Sequence, residues 1–433
     1  MVANPNWQTK RLGDLADFRN GVNYDKNSFG NGVKVVGVSN FKDYLKPKYN
    51  ELEQINPDGI VTARNILRDG DIVFVRSNGN RELIGRSLFI EKPQEEVTHS
   101  AFTIRLRFTS TEVYPKFYAY CFRTPLIRQA LTAQGGGTNI NNLNQDILSA
   151  LEVPLPPLSV QQRIGGILEA YDDLIENSQR RIQILESMAR TLYREWFVLF
   201  RFPGHESAPR IASPIGEIPQ GWEAIPFENL LASMTGGDWG SEHPADRDTA
   251  EVAIVRGMDL DDVAYGGQLR VPVRYVKPSS LITRGLRAGD VVIENSINAK
   301  SRCIGTTLLV DNHVLNRLGR DAVAASFCKV FRMREPRLAP LVHLHVRHLR
   351  EDARMEYYQN VAANGIGNFQ AQKFAKEEHL VLPTDEAIRV KLIEHFSVLF
   401  QMVGTLSSQI ANLRRTRDLL LPRLMADQNI LPG

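Results

Sequence analysis

Two stretches of the chain keep apolar residues in steps of three and four for far longer than an ordinary globular helix does. The first runs Ile164, Leu168, Tyr171, Ile175, Ser178, Ile182, Leu185, Ala189, Leu192, Trp196 and Leu199. The second runs Ile388, Leu392, Phe396, Leu399, Val403, Leu406, Ile410, Leu413, Arg417, Leu420 and Leu424, with one stutter of four between Leu392 and Phe396. Charged residues fill the other faces. At a rise of about 1.5 Å per residue each seam spans roughly 50 Å. Ser159 with Gln162 three residues on has the spacing of a capping box at the start of the first helix, and Pro422 is expected to end the second. Each seam is wide enough for one partner, and the matching partner is the other copy. The pattern therefore predicts an intramolecular antiparallel coiled coil.

Outside these seams the period shortens. Residues 33–38, 72–75, 102–108, 252–255, 291–293 and 327–331 are β-branched or alternating runs between turn residues, which predicts strands. Residues 115–131 and 340–358 carry helical spacing. Glycine-rich loops, Gly135-Gly136-Gly137 and Gly365-Ile366-Gly367, precede each long helix, and residues 202–221, with four prolines and three glycines, read as a linker.

The order of these features is written twice. Leu67-Arg68-Asp69-Gly70-Asp71-Ile72-Val73 returns 219 residues later as Leu286-Arg287-Ala288-Gly289-Asp290-Val291-Val292. Trp7 matches Trp222, Ile84-Gly85 matches Ile304-Gly305, Phe102 matches Phe327, Asn139-Ile140 matches Asn368-Phe369, and Pro154 matches Pro383. A repeat of this length means two whole domains and two whole connectors. The reading is α+β, with globular parts at 1–158 and 202–383 and long helices at 159–201 and 384–433.

Composition and charge narrow the class. The 433 residues are 43% hydrophobic and 23% charged, as in ordinary globular proteins. No uninterrupted apolar run is long enough to span a membrane, and Met1 to Lys10 lack a secretory pattern, so a cytoplasmic protein is expected. Cys121, Cys303 and Cys328 share no C-x-x-C spacing and form neither a disulfide framework nor a zinc site. Net charge is +3, with +4 over residues 1–150 and −1 over residues 202–383, which neither requires nor excludes a nucleic-acid partner.

Catalytic patterns are missing. There is no P-loop, no G-x-G-x-x-G, and no lysine with an acidic residue two positions before it. Asn4-Pro5-Asn6-Trp7 lacks the second proline and the surrounding strand of an adenine-presenting motif. His343, His345 and His348 lack the i,i+4 spacing of a helical metal site. Asp71 and Asp290, each after a glycine, read as turn caps ahead of buried strands. A duplicated chain without an active site positions something, and a ligand with two half-sites, such as duplex DNA, suits it.

The residues carry a family resemblance over nearly the whole chain. Val153-Pro154-Leu155-Pro156-Pro157-Leu158-Ser159-Val160-Gln161-Gln162-Arg163-Ile164 opens the first long helix, and Tyr193-Arg194-Glu195-Trp196-Phe197-Val198 through Phe202-Pro203-Gly204-His205-Glu206 closes it. Thr235-Gly236-Gly237-Asp238-Trp239-Gly240, Val255-Arg256-Gly257-Met258-Asp259 and Asn412-Leu413-Arg414-Arg415-Thr416-Arg417-Asp418-Leu419-Leu420 complete the set. In their order and duplication these resemble the specificity subunits of type I restriction-modification systems. The resemblance implies two pseudo-repeated target recognition domains separated by two long antiparallel helices. Each domain would read one half of a split double-stranded DNA target, and the helices would set the spacer. It also implies two methyltransferase subunits docked on the scaffold, with motor and nuclease subunits reached through them. S-adenosylmethionine, ATP and Mg would bind those partners, with no cofactor or catalysis on this chain.

Base-reading residues are expected in loops. Arg suits guanine and Asn suits adenine in the major groove, which singles out Arg76, Asn78, Asn80 and Arg81, with Asn295, Asn298, Lys300 and Arg302 in the matching loop. Secondary candidates are Asn20, Asn23 and Tyr24, Gly237 and Trp239, and Thr138, Asn139 and Asn368 beside the glycine loops. Three other readings remain: a modification-only or orphan specificity subunit, a coiled-coil scaffold that never touches DNA, and a self-sufficient enzyme.

Overall fold

The structure is a computed structural model that describes residues 6–41, 44–80, 83–134, 142–297, 303–361 and 367–426. The chain divides into two compact units, residues 1–173 with 414–433, and residues 174–413.

In the first unit, β1 (Gln8–Arg11) pairs antiparallel with β9 (Glu152–Leu155), so its first and last strands lie side by side. An antiparallel sheet follows the order β2 (Ala16–Asn20), β8 (Thr103–Phe108), β5 (Ile72–Val75), β6 (Ser87–Phe89). A second sheet is ordered β4 (Glu53–Ile55), β3 (Phe29–Val36), β7 (Val97–His99), with β3 and β7 parallel. The alternation of β5 explains why its run is unbroken in apolarity. Ile72 and Phe74 face a core with Phe117, Tyr118 and Phe122 of the helix α1 (Pro115–Cys121) and its cap, while Val73 and Val75 face a second cluster with Val36, Leu88 and Ile90. Helices α2 (Pro125–Gln134) and α3 (Gln145–Ala150) complete the unit.

The second unit repeats this plan. Strand β12 (Trp222–Pro226) pairs with β23 (His379–Pro383), and one sheet runs β13 (Leu231–Gly236), β20 (Cys328–Met333), β16 (Asp290–Glu294), β18 (Thr307–Leu309). The other runs β15 (Val273–Val276), β14 (Ala250–Val255), β19 (Ala322–Ala324), again with its last pair parallel. Order and sense match strand for strand. The hydrogen bonds refine one correspondence: Arg76 accepts from Leu143 N at 2.9 Å and Asn295 from Phe369 N at 2.8 Å. Asn368-Phe369 therefore corresponds to Asn142-Leu143, three residues later than Asn139-Ile140, which lie outside the described residues. Loop length between Gly137 and Leu143 is invisible to a landmark match.

Both turns at Asp71 and Asp290 are capped as expected. Asp71 Oδ2 accepts from Arg68 N at 2.7 Å and Asp290 Oδ2 from Arg287 N at 2.9 Å. Each carboxylate also takes a two-pronged pair from an arginine on the neighbouring strand, Arg107 at 2.7 and 2.7 Å and Arg332 at 2.8 and 2.7 Å.

The long helices are α4 (Leu158–Tyr193), continued by a π turn at Arg194–Val198, and α11 (Glu386–Ala426). Within the second unit Ile175, Ile182 and Leu185 pack with Val403, Leu406 and Ile410, flanked by partly buried Leu399 and Leu413. Within the first, Ile164 and Leu168 share a core with Leu424 and partly buried Leu420. Asp172 pairs with Arg417 and the Trp196 ring lies against Phe396, so the helices run antiparallel.

Several details differ from the sequence reading. Ile388 is 49% exposed, because the seam begins only at Leu392. Leu192 and Trp196 are partly buried, while Tyr193 and Phe197 take the core positions beyond Ala189 as the π turn shifts the register. Pro422 lies inside α11, which continues to Ala426 despite the one backbone bond, to the carbonyl of Asp418, that proline cannot donate. The helix starts at Leu158, and in place of a Ser159–Gln162 box buried Gln161 accepts from Tyr114 N and donates to Glu112 O and Pro156 O, each at 2.8 Å. The helix read over 340–358 is α9 (Ala339–Glu351), after which Ala353 turns left-handed at φ 58° into a 3-10 turn at Arg354–Tyr358. Residues 202–221 carry a hairpin, β10 (Arg210–Ser213) with β11 (Gly216–Pro219).

Candidate nucleic-acid interface

Each unit has one crossing that holds a loop cluster together. In the first, the chain leaving β2 passes over the β7–β8 turn, where Gly21 N donates to Thr103 O at 3.2 Å and Val22 N to His99 O at 2.8 Å. In the second, Gly237 N donates to Cys328 O at 3.2 Å and Asp238 N to Ala324 O at 2.8 Å. A Cβ on Gly21 would sit 2.2 Å from His99 O, and one on Gly237 2.0 Å from Ala325 O, so only glycine fits at this approach. Gly237 is thus a buried packing position and not an exposed reader.

Around the first crossing opens a concavity of about 500 Å³ lined by Tyr24, Ser39, Glu53, Ser77, Asn78, Gly79, Ser100 and Phe102, among others. Asn20 and Asn23 are exposed at its approach, and Tyr24 is half-buried with its ring edge-on to Phe29. Burial, then the nearby Glu53 carboxylate, raise the Tyr24 hydroxyl above its usual range, so it stays a neutral donor. Arg76 and Asn78 are half-buried and Asn80 exposed; Asn78 Oδ1 accepts from Asn80 N at 2.7 Å and shapes the loop tip.

The second concavity, of about 700 Å³, is lined by Asp238, Trp239, Lys277, Ser280, Thr283, Arg284 and Ser326, among others. Trp239 is exposed with the Arg274 guanidinium 5.0 Å from its ring centroid. Burial works to raise the Asp238 carboxyl, but hydrogen bonds from Ser280 and from backbone N–H groups prevail and hold it below the usual range. Arg284 Nη1 donates to Gly237 O at 2.8 Å, tying the helix α7 (Pro278–Arg284) to the crossing. Both sites offer donors, acceptors and an aromatic face on a rigid sheet end, which is what reading a base edge requires.

Asn295 begins the matching loop and Asn368 is exposed on a small sheet of β17 (Ser296–Ile297), β22 (Gly367–Phe369) and β21 (Gln359–Val361). Arg81, Thr138, Asn139, Asn298, Lys300 and Arg302 lie outside the described residues. The α9 histidines diverge: His343 Nδ1 lies 2.9 Å from Thr307 Oγ1, His345 Nδ1 2.6 Å from the Tyr193 hydroxyl, and His348 Nε2 3.5 Å from Asp352. Among the described residues no three His, Cys, Asp or Glu side chains are grouped to hold a metal ion. No helix among them is long and apolar enough to cross a membrane.

Comparison with known proteins shows what the chain is similar to. The family model for the type I restriction modification DNA specificity domain matches residues 4–187. The chain is 28% identical over 229 residues to the putative type I restriction enzyme MjaX specificity subunit of Methanocaldococcus jannaschii, covering 52% of each chain. It is 22% identical over 325 residues to the MjaIX specificity subunit of the same organism, covering 72% of this chain and 68% of that one. The match thus spans about half the length of the MjaX subunit. A crystal structure of a type I restriction-modification S subunit from M. genitalium covers 99% of both chains with a TM-score of 0.52 at 15% identity, a likeness of fold.

Residues 4–187 thus match the type I restriction modification DNA specificity domain, and the chain is similar to type I restriction enzyme specificity subunits. The sequence reading did not single out Ser77, Phe102, Lys277 and Arg284, which line the two concavities, or the exposed Phe327. Lys277 and Arg284 carry no motif, because α7 is placed beside the crossing only by long-range pairing. Phe102 and Phe327 were visible as a matched pair but read as strand starts.

Proposed function

We propose that this chain is the DNA-reading subunit of a type I system, in which each unit reads one half of a bipartite target. The observation that carries the reading is the strand-for-strand repetition of the two units, each ending in a glycine crossing beside a polar concavity. Arg76, Asn78 and Asn80 read in the first half, and Trp239, Lys277 and Asn295 act in the second. The antiparallel helices set the spacer between half-sites. Methyltransferase subunits dock on this scaffold and supply adenine methylation with S-adenosylmethionine. ATP-driven motor and nuclease subunits join through them.

The modest charge fits this division. Partner subunits contribute many of the phosphate contacts, and this chain needs local readers more than a broad basic face. Methylome sequencing of a host carrying the chain with its partners should reveal a split motif. Exchange of residues 1–158 for those of a relative should change one half of that motif only; a continuous motif, or an unchanged one after exchange, refutes the reading.

A further inference from the structure

Phe102 and Phe327 are 62% and 69% exposed, although each belongs to a tight turn built into the sheet framework. In the first unit Thr103 N donates to Ser100 O at 2.9 Å, making Ala101 and Phe102 the central pair of the turn; in the second Cys328 N donates to Ala325 O at 2.8 Å around Ser326 and Phe327. The central positions of a turn favour small or polar residues, and phenylalanine there gains no burial. A lone exposed apolar side chain is ordinary. The same side chain at the same turn position in both halves, beside neighbours that differ (Ala101 against Ser326), is not.

Their backbones are welded to the reading loops. Phe102 O accepts from Arg76 N at 2.8 Å and from Ser77 N at 3.4 Å, and Phe327 O accepts from Asn295 N at 2.8 Å. Arg76 and Asn295 are the first loop residues after β5 and β16. The backbone that carries each phenyl ring is therefore fixed to the start of the polar loop that follows. Phe102 itself lines the first concavity, and Ser326, the neighbour of Phe327, lines the second. A rigid apolar probe next to donors and acceptors matches the one apolar landmark in the major groove, the thymine C5-methyl group.

We propose that Phe102 and Phe327 are specificity-determining residues, each contacting a thymine methyl in its own half-site. The inference rests on the DNA-reading assignment above, and its test separates the two. The full chain assembled with its methyltransferase subunits, immobilised at low salt to strengthen phosphate contacts, selects from a randomised duplex DNA library. F102A and F327A variants are put through the same selection. Wild type should enrich a split sequence; F102A should lose preference for thymine at one position of one half, and F327A at one position of the other. The expected loss is about five-fold or more per position, the usual cost of a mismatched base pair. Replacing that thymine by deoxyuridine, which lacks only the methyl group, should weaken wild type equally and leave the alanine variant unaffected.

Enrichment that neither variant alters, or a deoxyuridine effect that persists in the variant, overturns the assignment of the phenylalanines and leaves DNA reading intact. No enrichment by wild type overturns both. Because the rings are exposed, thermal melting of both variants should match wild type, and F102L should retain part of the preference by keeping an apolar contact.

Discussion

The twin carboxylate turns permit a stability prediction with its own internal control. Asp71→Ala removes a group that is 1% exposed and accepts three hydrogen bonds: one from Arg68 N and two from Arg107. It strands the Arg107 guanidinium, which keeps a 3.2 Å bond to Ile66 O and the charge of Asp17 across the strand pair. Removing one partner of a buried pair costs about 3–5 kcal/mol. The Arg107 side chain keeps 23% of its surface in water, which returns part of that cost and sets the expected loss near the lower end, at about 3 kcal/mol. For a unit of this size that lowers the melting temperature by roughly 6–12 °C. Asp290→Ala should cost the second unit the same to within about 1 kcal/mol, since Arg332 is 20% exposed and holds the carboxylate at 2.8 and 2.7 Å. Asp71→Asn should cost less, because its amide oxygen still caps the Arg68 N–H. Amide hydrogen exchange, which resolves each unit separately, is the assay. Equal protection in D71A and wild type, or D71N as damaging as D71A, would refute the assignment of these turns as charge-paired caps.

Three further outcomes follow from other residues. Ile410→Ala at the fully buried centre of the helix seam should cost about 2–5 kcal/mol, whereas Ile388→Ala at its exposed start should stay within about 0.5 kcal/mol; urea unfolding distinguishes them. Burial, joined by the charges of Arg105, Arg107 and Arg19, pushes His99 from 6.5 down to about 3. The unfolded chain then holds one proton more between those values, so first-unit stability falls as pH drops, by about 1.4 kcal/mol per pH unit from this group. His99→Gln should remove that slope from urea midpoints taken between pH 6 and 4, and parallel curves would contradict it. Lys277→Ala should weaken duplex DNA binding alike across sequences and lower the salt slope by about 1, while Arg76→Ala should relax preference at one position; a sequence-selective effect of Lys277→Ala would reverse its role.

Local pattern reached the elements that bury a repeating face. The helix seams and β5, β14, β16 and β20 were legible because each buries a run long enough to show its period. Strands β2, β4, β7 and their counterparts were not, since Asp17, Arg19, Glu53 and Thr98 break the alternation and pairing partners lie far along the chain. The cap at Asp71 was legible and its ion pair was not: Arg107 is 36 residues away and only the β5–β8 register brings it there. The same limit applies to the candidate interface. Arg76 and Asn78 could be nominated from residue chemistry, but Tyr24, Ser77 and Phe102 share one concavity only because the chain crosses at Gly21.

Strands β1 and β9, and likewise β12 and β23, close each sheet assembly by pairing its beginning with its end. The chain therefore enters and leaves at points about 5 Å apart, the spacing of paired strands. Such a segment can be exchanged as a cassette so long as the closing pair and the face packed on the long helices are kept. For the gene, recombination at two short stretches, around Trp7 and Pro154 or around Trp222 and Pro383, would exchange one half of the protein without disturbing the helices that follow.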